Sequence, residues 1–197
     1  MSSTTPELDV VRWFNSEPLT WADLRGKVVL VEAFQMLCPG CVTHSLPQAQ
    51  RVRRLFPVDE LAVIGLHTVF EHHDVMGPDA LEAFLSEYRI TFPVAVDRPV
   101  PGRSIPATMA ALDLQGTPSH ILLDRRGERR AVTFGSIDDI ALGARIGRLL
   151  AEPAEPAEVA ATARAAATAN GTAEADNGTA EADTDDPVTC APGRACA

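Results

Sequence analysis

Residues Lys27–Pro47 read KVVLVEAFQMLCPGCVTHSLP. The first eight, KVVLVEAF, are rich in β-branched residues and have the length of a strand covered on both faces. Cys38 and Cys41 follow at once, where the apolar run gives way to a helical pattern. From Pro39 to Phe56 apolar or small residues recur at Val42, Leu46, Ala49, Val52 and Leu55, the spacing of one helix face. A strand thus delivers a Cys-x-x-Cys pair to the start of a helix. Such a pair can be a redox couple, half of a zinc site, or two thiols that only pack.

Working outward, Leu61–His67 (LAVIGLH) is a second buried strand, and Asp79–Arg89 carries a second amphipathic helical pattern. Strand, helix, strand makes a parallel unit with a right-handed crossover. A short run at Phe92–Val96 and a small helix around Ala107–Leu112 come next. The stretch GTPSHILLDRRGERRAVTFG then reads as a hairpin: Ser119–Leu123, a turn with Arg126 and Gly127, and Arg130–Phe134. Ser136 or Asp138 caps a last helix ending near Leu150. The expectation is an α/β fold, a mixed sheet with helices on both faces, spanning residues 19–150 after an N-terminal extension of residues 1–18.

From Ala151 the composition turns to Ala, Thr, Glu, Asp and Pro, and NGTAEAD occurs twice in tandem. Too little apolar surface is available there to offset ordering entropy, so residues 151–197 are expected to form a disordered acidic tail. Nine of the 27 acidic and two of the 17 basic residues lie after Leu150, leaving the body near −3 and the tail near −7. Neither offers the basic stripe that a phosphate backbone requires, so nucleic acid is not an expected partner. No apolar run approaches bilayer length, so no membrane partner is expected either. The N-terminal residues lack the basic start and apolar stretch of a secretory signal, which sets the expectation of a cytoplasmic protein.

Both parallel strands end at one edge of the sheet, where sites of open α/β sheets are built. Cys38 lies at that edge, facing the unpaired N–H groups of the first helical turn, which favour thiolate over thiol and make it the nucleophile. Pro39 suits the first helical position. Cys41 is one turn on and less exposed, placed to attack a mixed disulfide at Cys38. Zinc wants four ligands, and the body holds no second Cys-x-x-Cys or spaced His pair, although His44 and His67 remain nearby candidates.

The combination of LRGKVVLVEAFQMLCPGCVTHSLPQ with GTPSHILLD some eighty residues later resembles the thioredoxin superfamily, more closely its redoxin or TlpA-like branch of thiol–disulfide oxidoreductases. The resemblance implies a thioredoxin-like three-layer fold, Cys38 as attacking and Cys41 as resolving thiol, and a cis bond between Thr117 and Pro118 facing the pair and contacting substrate. It also implies that Glu32, an acid inside the buried run, serves as general base for Cys41; the other reading is a solvated, edge-facing Glu. Leu37 stands where relatives carry an aromatic residue, Pro47 falls one position later, and Pro-Gly replaces commoner inner dipeptides. No bound cofactor is implied. The expected partners are a disulfide-containing protein or small molecule and a cellular thiol reductant.

Three further features are open. HTVFEHHD, residues His67–Asp74, follows the second strand at the active edge and reads as a polar substrate-contacting loop or, less simply, a metal site. His120, just past Pro118, either lines the substrate groove or packs. Cys190 and Cys196 end the tail; a flexible linker of some forty residues spans roughly 35 Å, so they can reach Cys38 as a redox relay, or are incidental, or form a soft-metal clip. The competing function class is a thiol-based soft-metal carrier.

Overall fold

The computed structural model describes residues 5–153. Six strands form one sheet: β1 (Val10–Phe14), β2 (Val28–Phe34), β3 (Leu61–His67), β4 (Val94–Asp97), β5 (Ser119–Leu123) and β6 (Arg129–Phe134), in the spatial order β1-β4-β3-β2-β5-β6. β2, β3 and β4 run parallel, while β1, β5 and β6 are antiparallel to their neighbours. The helices are α1 (Leu46–Leu55), α2 (Pro78–Glu87), α3 (Ala107–Ala111) and α4 (Asp139–Ala151).

β2 is central, and all seven of its residues are buried. Its side chains alternate: Val28, Leu30 and Phe34 join the layer filled by Leu46, Ala49 and Val52 of α1, Leu81 and Leu85 of α2, and Leu142, Ile146 and Leu149 of α4. Val29, Val31 and Ala33 face the opposite layer with Trp21, Leu24, Met109 and Leu112. The two-faced covering expected from the β-branched run is therefore present. Gly65 of β3 admits this packing: a Cβ there would stand 3.0 Å from Val94 Cγ2 and 3.1 Å from the Phe34 ring.

Several boundaries differ from the sequence reading for physical reasons. Within the segment read as an N-terminal extension, Val10–Phe14 is strand β1, paired antiparallel with β4. Being an edge strand it is half-exposed and interrupted by an irregularity between Val10 and Arg12, so its pattern is not the continuous apolar run of a central strand. The helix expected from Pro39 to Phe56 is divided. Pro39 and Gly40 are helical, Cys41–Ser45 form a π turn, and only from Leu46 is the helix regular. Pro47 has no N–H to offer the Thr43 carbonyl, and the Leu46 N–H reaches back to Cys41 O, one residue further than in an α-helix. At the other end Asp138, not Ser136, caps α4, accepting from the N–H groups of Ile140 and Ala141.

Candidate active site

β2 ends at Phe34, and the chain turns through Gln35–Leu37 with the Cys38 N–H donating to Gln35 O at 3.2 Å. The helical turn then starts at once, Val42 N–H donating to Cys38 O at 3.1 Å. This puts Cys38 in the position of a helix cap. Its sulfur accepts the Cys41 backbone N–H at 3.2 Å, the bond a capping side chain makes to the third residue of a helix. Its thiol points to Thr117 O at 3.5 Å. Cys38 is half-buried and Cys41 fully buried, both as free thiols.

The loop before β5 closes over the pair. The Thr117–Pro118 peptide bond is cis. Pro118 lies so near the Pro-Gly inside the motif that a Cβ on Gly40 would meet Pro118 Cδ at 3.4 Å. Thr117, Pro118, Cys38 and Cys41 are thus brought together. Burial, chiefly, and the neighbouring Cys38 thiol push the Cys41 thiol well above the ordinary thiol range; the Gln35 backbone and the Thr117 side chain pull weakly the other way. Cys41 needs a proton acceptor to act as a nucleophile.

Glu32 is completely buried on the face of β2 shared with Leu30 and Phe34, the layer into which Cys41 packs. The solvated alternative is excluded. Opposite it in register on β5 is His120, whose Nδ1 is 2.7 Å from Glu32 Oε2. The two atoms are within ion-pair distance, and neither Glu32 oxygen has another partner among the described residues. His120 therefore does not line the groove: it is 2% exposed, with Nε2 3.1 Å from Gly135 O. Strand alternation from Pro118 could have found this, because His120 and Leu122 share one face of β5.

Gln35 went unnoticed in the sequence, since a lone Gln beside a strand end carries no motif. It is 1% exposed. Its amide nitrogen lies 3.4 Å from Glu71 Oε1 and 3.5 Å from Thr117 Oγ1, while its oxygen accepts the Phe70 N–H at 3.2 Å. It thereby joins β2, the loop after β3 and the cis-proline loop. In that loop His72 and His73 are exposed, His72 in the left-handed region at φ 51°. His67 is buried and packs against Phe34, ring centroids 5.3 Å apart and planes tilted by 50°. His44 instead reaches Ile137 O at 3.2 Å. Among the described residues no three His, Cys, Asp or Glu side chains converge as a metal site, and no helix is long and apolar enough to cross a membrane. Cys190 and Cys196 lie outside the described residues.

No family model matches the chain. Solved structures do. A crystal structure of a thioredoxin-like superfamily protein is 57% identical, with a TM-score of 0.75, covering 77% of this chain and 98% of that one. A thiol-disulfide isomerase from Corynebacterium glutamicum is 55% identical, with a TM-score of 0.76, covering 78% of this chain and all of that one. The thiol-disulfide oxidoreductase YkuV of Bacillus subtilis is 26% identical over 140 residues, 71% of this chain and 88% of its own length. Protein DipZ of Mycobacterium tuberculosis is 28% identical over 139 residues, and the chain spans only 19% of its length.

Proposed function

The chain belongs to the thioredoxin-like superfamily, and from that premise we propose that it is a thiol–disulfide oxidoreductase acting as a disulfide reductase through Cys38 and Cys41. The observation that carries the reading is the pairing of unlike thiols: a half-buried Cys38 sulfur accepting the Cys41 N–H at 3.2 Å, with Cys41 sealed behind it. Cys38, as thiolate, attacks one sulfur of a substrate disulfide, and the other leaves as a thiolate. Cys41 then gives up its proton to Glu32 and attacks Cys38, releasing the second substrate thiol and leaving a Cys38–Cys41 disulfide. A cellular thiol reductant returns the two electrons. Thr117 and Pro118, against the Cys38 sulfur and Gly40, hold the substrate backbone in line. No step calls for a bound cofactor.

The proposed setting is the cytoplasm, where thiol reductants set the net direction as reduction. The substrate is a disulfide in a protein or a small molecule. The cysteines Cys190 and Cys196 are proposed as a relay to Cys38, to be tested by deleting residues 185–197: slower turnover with a protein partner and unchanged reduction of a small disulfide are expected.

Insulin reduction driven by a thiol reductant tests the core of this reading. Cys38→Ser should abolish it and Cys41→Ser should accumulate a mixed disulfide at Cys38, seen by mass spectrometry. Activity retained in Cys38→Ser, together with stoichiometric copper or zinc binding by the native chain, would favour the metal carrier instead. Direction is tested separately by the reduction potential of the pair: a value near that of strong oxidants, about −120 mV, would reverse the assignment to reductase.

A further inference from the structure

A carboxylate buried without a cation is costly, and among the described residues Glu32 has no Lys or Arg in ion-pair contact; the group within reach is His120. The proton positions follow from the partners. A carbonyl oxygen only accepts, so His120 Nε2, 3.1 Å from Gly135 O, carries a hydrogen. Nδ1 then faces Glu32 Oε2 at 2.7 Å, and two lone pairs at that distance would repel, so one proton is held between them. With Glu32 as carboxylate, His120 is an imidazolium. The groups acting on its charge favour this in sum: burial, the largest influence, opposes the charged ring, as does Arg145 from α4, but contact with Glu32 from β2, its charge and the Gly135 carbonyl just after β6 outweigh them and raise its pKa.

We propose that His120 is a positioning residue of the resolving step: as an imidazolium it pairs with the Glu32 carboxylate and anchors it through Oε2, leaving Oε1, which has no hydrogen-bond partner among the described residues, to take the Cys41 proton. The inference rests on the proposed roles of Cys38, Cys41 and Glu32. In the step, the Cys41 S–H bond breaks and its proton passes to Glu32 Oε1. The electron pair left on Cys41 forms the bond to Cys38 Sγ, and the bond from Cys38 to the substrate sulfur breaks, its pair departing with the substrate as thiolate. The substrate is reduced and the cysteine pair oxidised by two electrons. The proton leaves Glu32 when the pair is reduced again and Cys41 regains its hydrogen. Without the imidazolium, the buried carboxylate would face no opposite charge among the described residues.

Stopped-flow mixing of the reduced full chain with dithiobis-nitrobenzoate separates attack from resolution, since Cys38 releases the first thionitrobenzoate and Cys41 the second. His120→Asn is expected to leave the first phase within about twofold and slow the second by about tenfold or more, and Glu32→Gln/His120→Asn to be no slower than Glu32→Gln alone. Nitrogen-15 NMR of the unaltered protein at pH 7.5 is expected to find both His120 ring nitrogens protonated, which requires no variant to fold. A neutral His120 ring, equal slowing of both phases in His120→Asn, or additive effects in the double variant would each overturn the role of His120. A native chain with a single phase, or a second phase that survives Cys41→Ser, would instead overturn the reading of Cys41 on which the inference rests.

Discussion

Glu32 and Asp97 are both carboxylates buried on strands of one sheet, and they are held in opposite ways. Asp97, at the end of β4, accepts from the Thr108 N–H at 2.7 Å, the Met109 N–H at 2.9 Å and the Thr68 hydroxyl at 2.9 Å. It satisfies the open N–H groups at the start of α3 and ties that helix to the sheet. Burial still raises its pKa, the hydrogen bonds offsetting only part of that. Glu32, completely buried, has one imidazole beside it and, among the described residues, an oxygen with no partner. A fully satisfied acid has no capacity left for a travelling proton, whereas a half-satisfied one on the face of β2 that shares its layer with Cys41 does. The same contrast divides two histidines: His120 is paired and its pKa raised, while His67 has no partner on either ring nitrogen among the described residues, and desolvation lowers its pKa to about 4.

The sharpest way to break the comparison is Asp97→Ala. It orphans two backbone donors and should cost about 4 kcal/mol in urea unfolding, with insulin reduction per folded molecule unchanged. A loss of specific activity without a loss of stability would put Asp97 in the chemistry.

The histidines set the next effect. His67 ionises near 6.5 unfolded and near 4 folded. Between those values the unfolded chain binds more protons, so stability falls as pH drops from 6.5 through 4, by about 3 kcal/mol from this group. His120 has the opposite sign: its raised pKa contributes stability that is present below its unfolded value and lost as pH rises through the folded one. His67→Phe should therefore flatten the acid limb of a pH–stability curve. An unaltered acid limb would mean that His67 is not neutral in its pocket.

Glu32→Gln comes third. It should slow resolution of the mixed disulfide by about 100-fold with only a modest loss of thermal stability, since the His120 imidazolium loses its partner but can give up its proton. A large fall in melting temperature with normal resolution would make Glu32 as structural as Asp97. The smallest effect is expected for Gly40→Ala, whose Cβ would come into van der Waals contact with Pro118 Cδ at 3.4 Å. A methyl filling the space between the motif and Pro118 should lower turnover by about threefold and leave stability unchanged; an equal rate would show that the contact does not position substrate.

What the sequence determined by itself is what depends on neighbours along the chain. The buried strand before the cysteines, the helix beginning at Pro39 and the β5–β6 hairpin follow from apolar runs, prolines and a Gly turn, all local preferences of the backbone. The strand expected at Leu61–His67 has those limits in the structure. The placing of Cys38 at a helix start needed no tertiary knowledge either, because the strand-to-helix change of period marks it. Only the tertiary structure decided the partners of the buried polar groups. That His120 lies across from Glu32 is a matter of antiparallel register between strands 88 residues apart in sequence, and a shift of one residue would turn His120 to the other face of the sheet. That Gln35 ties the end of β2 to two loops, and that Val10–Phe14 completes the sheet edge beside β4, likewise depend on long-range pairing whose free energy no short window contains.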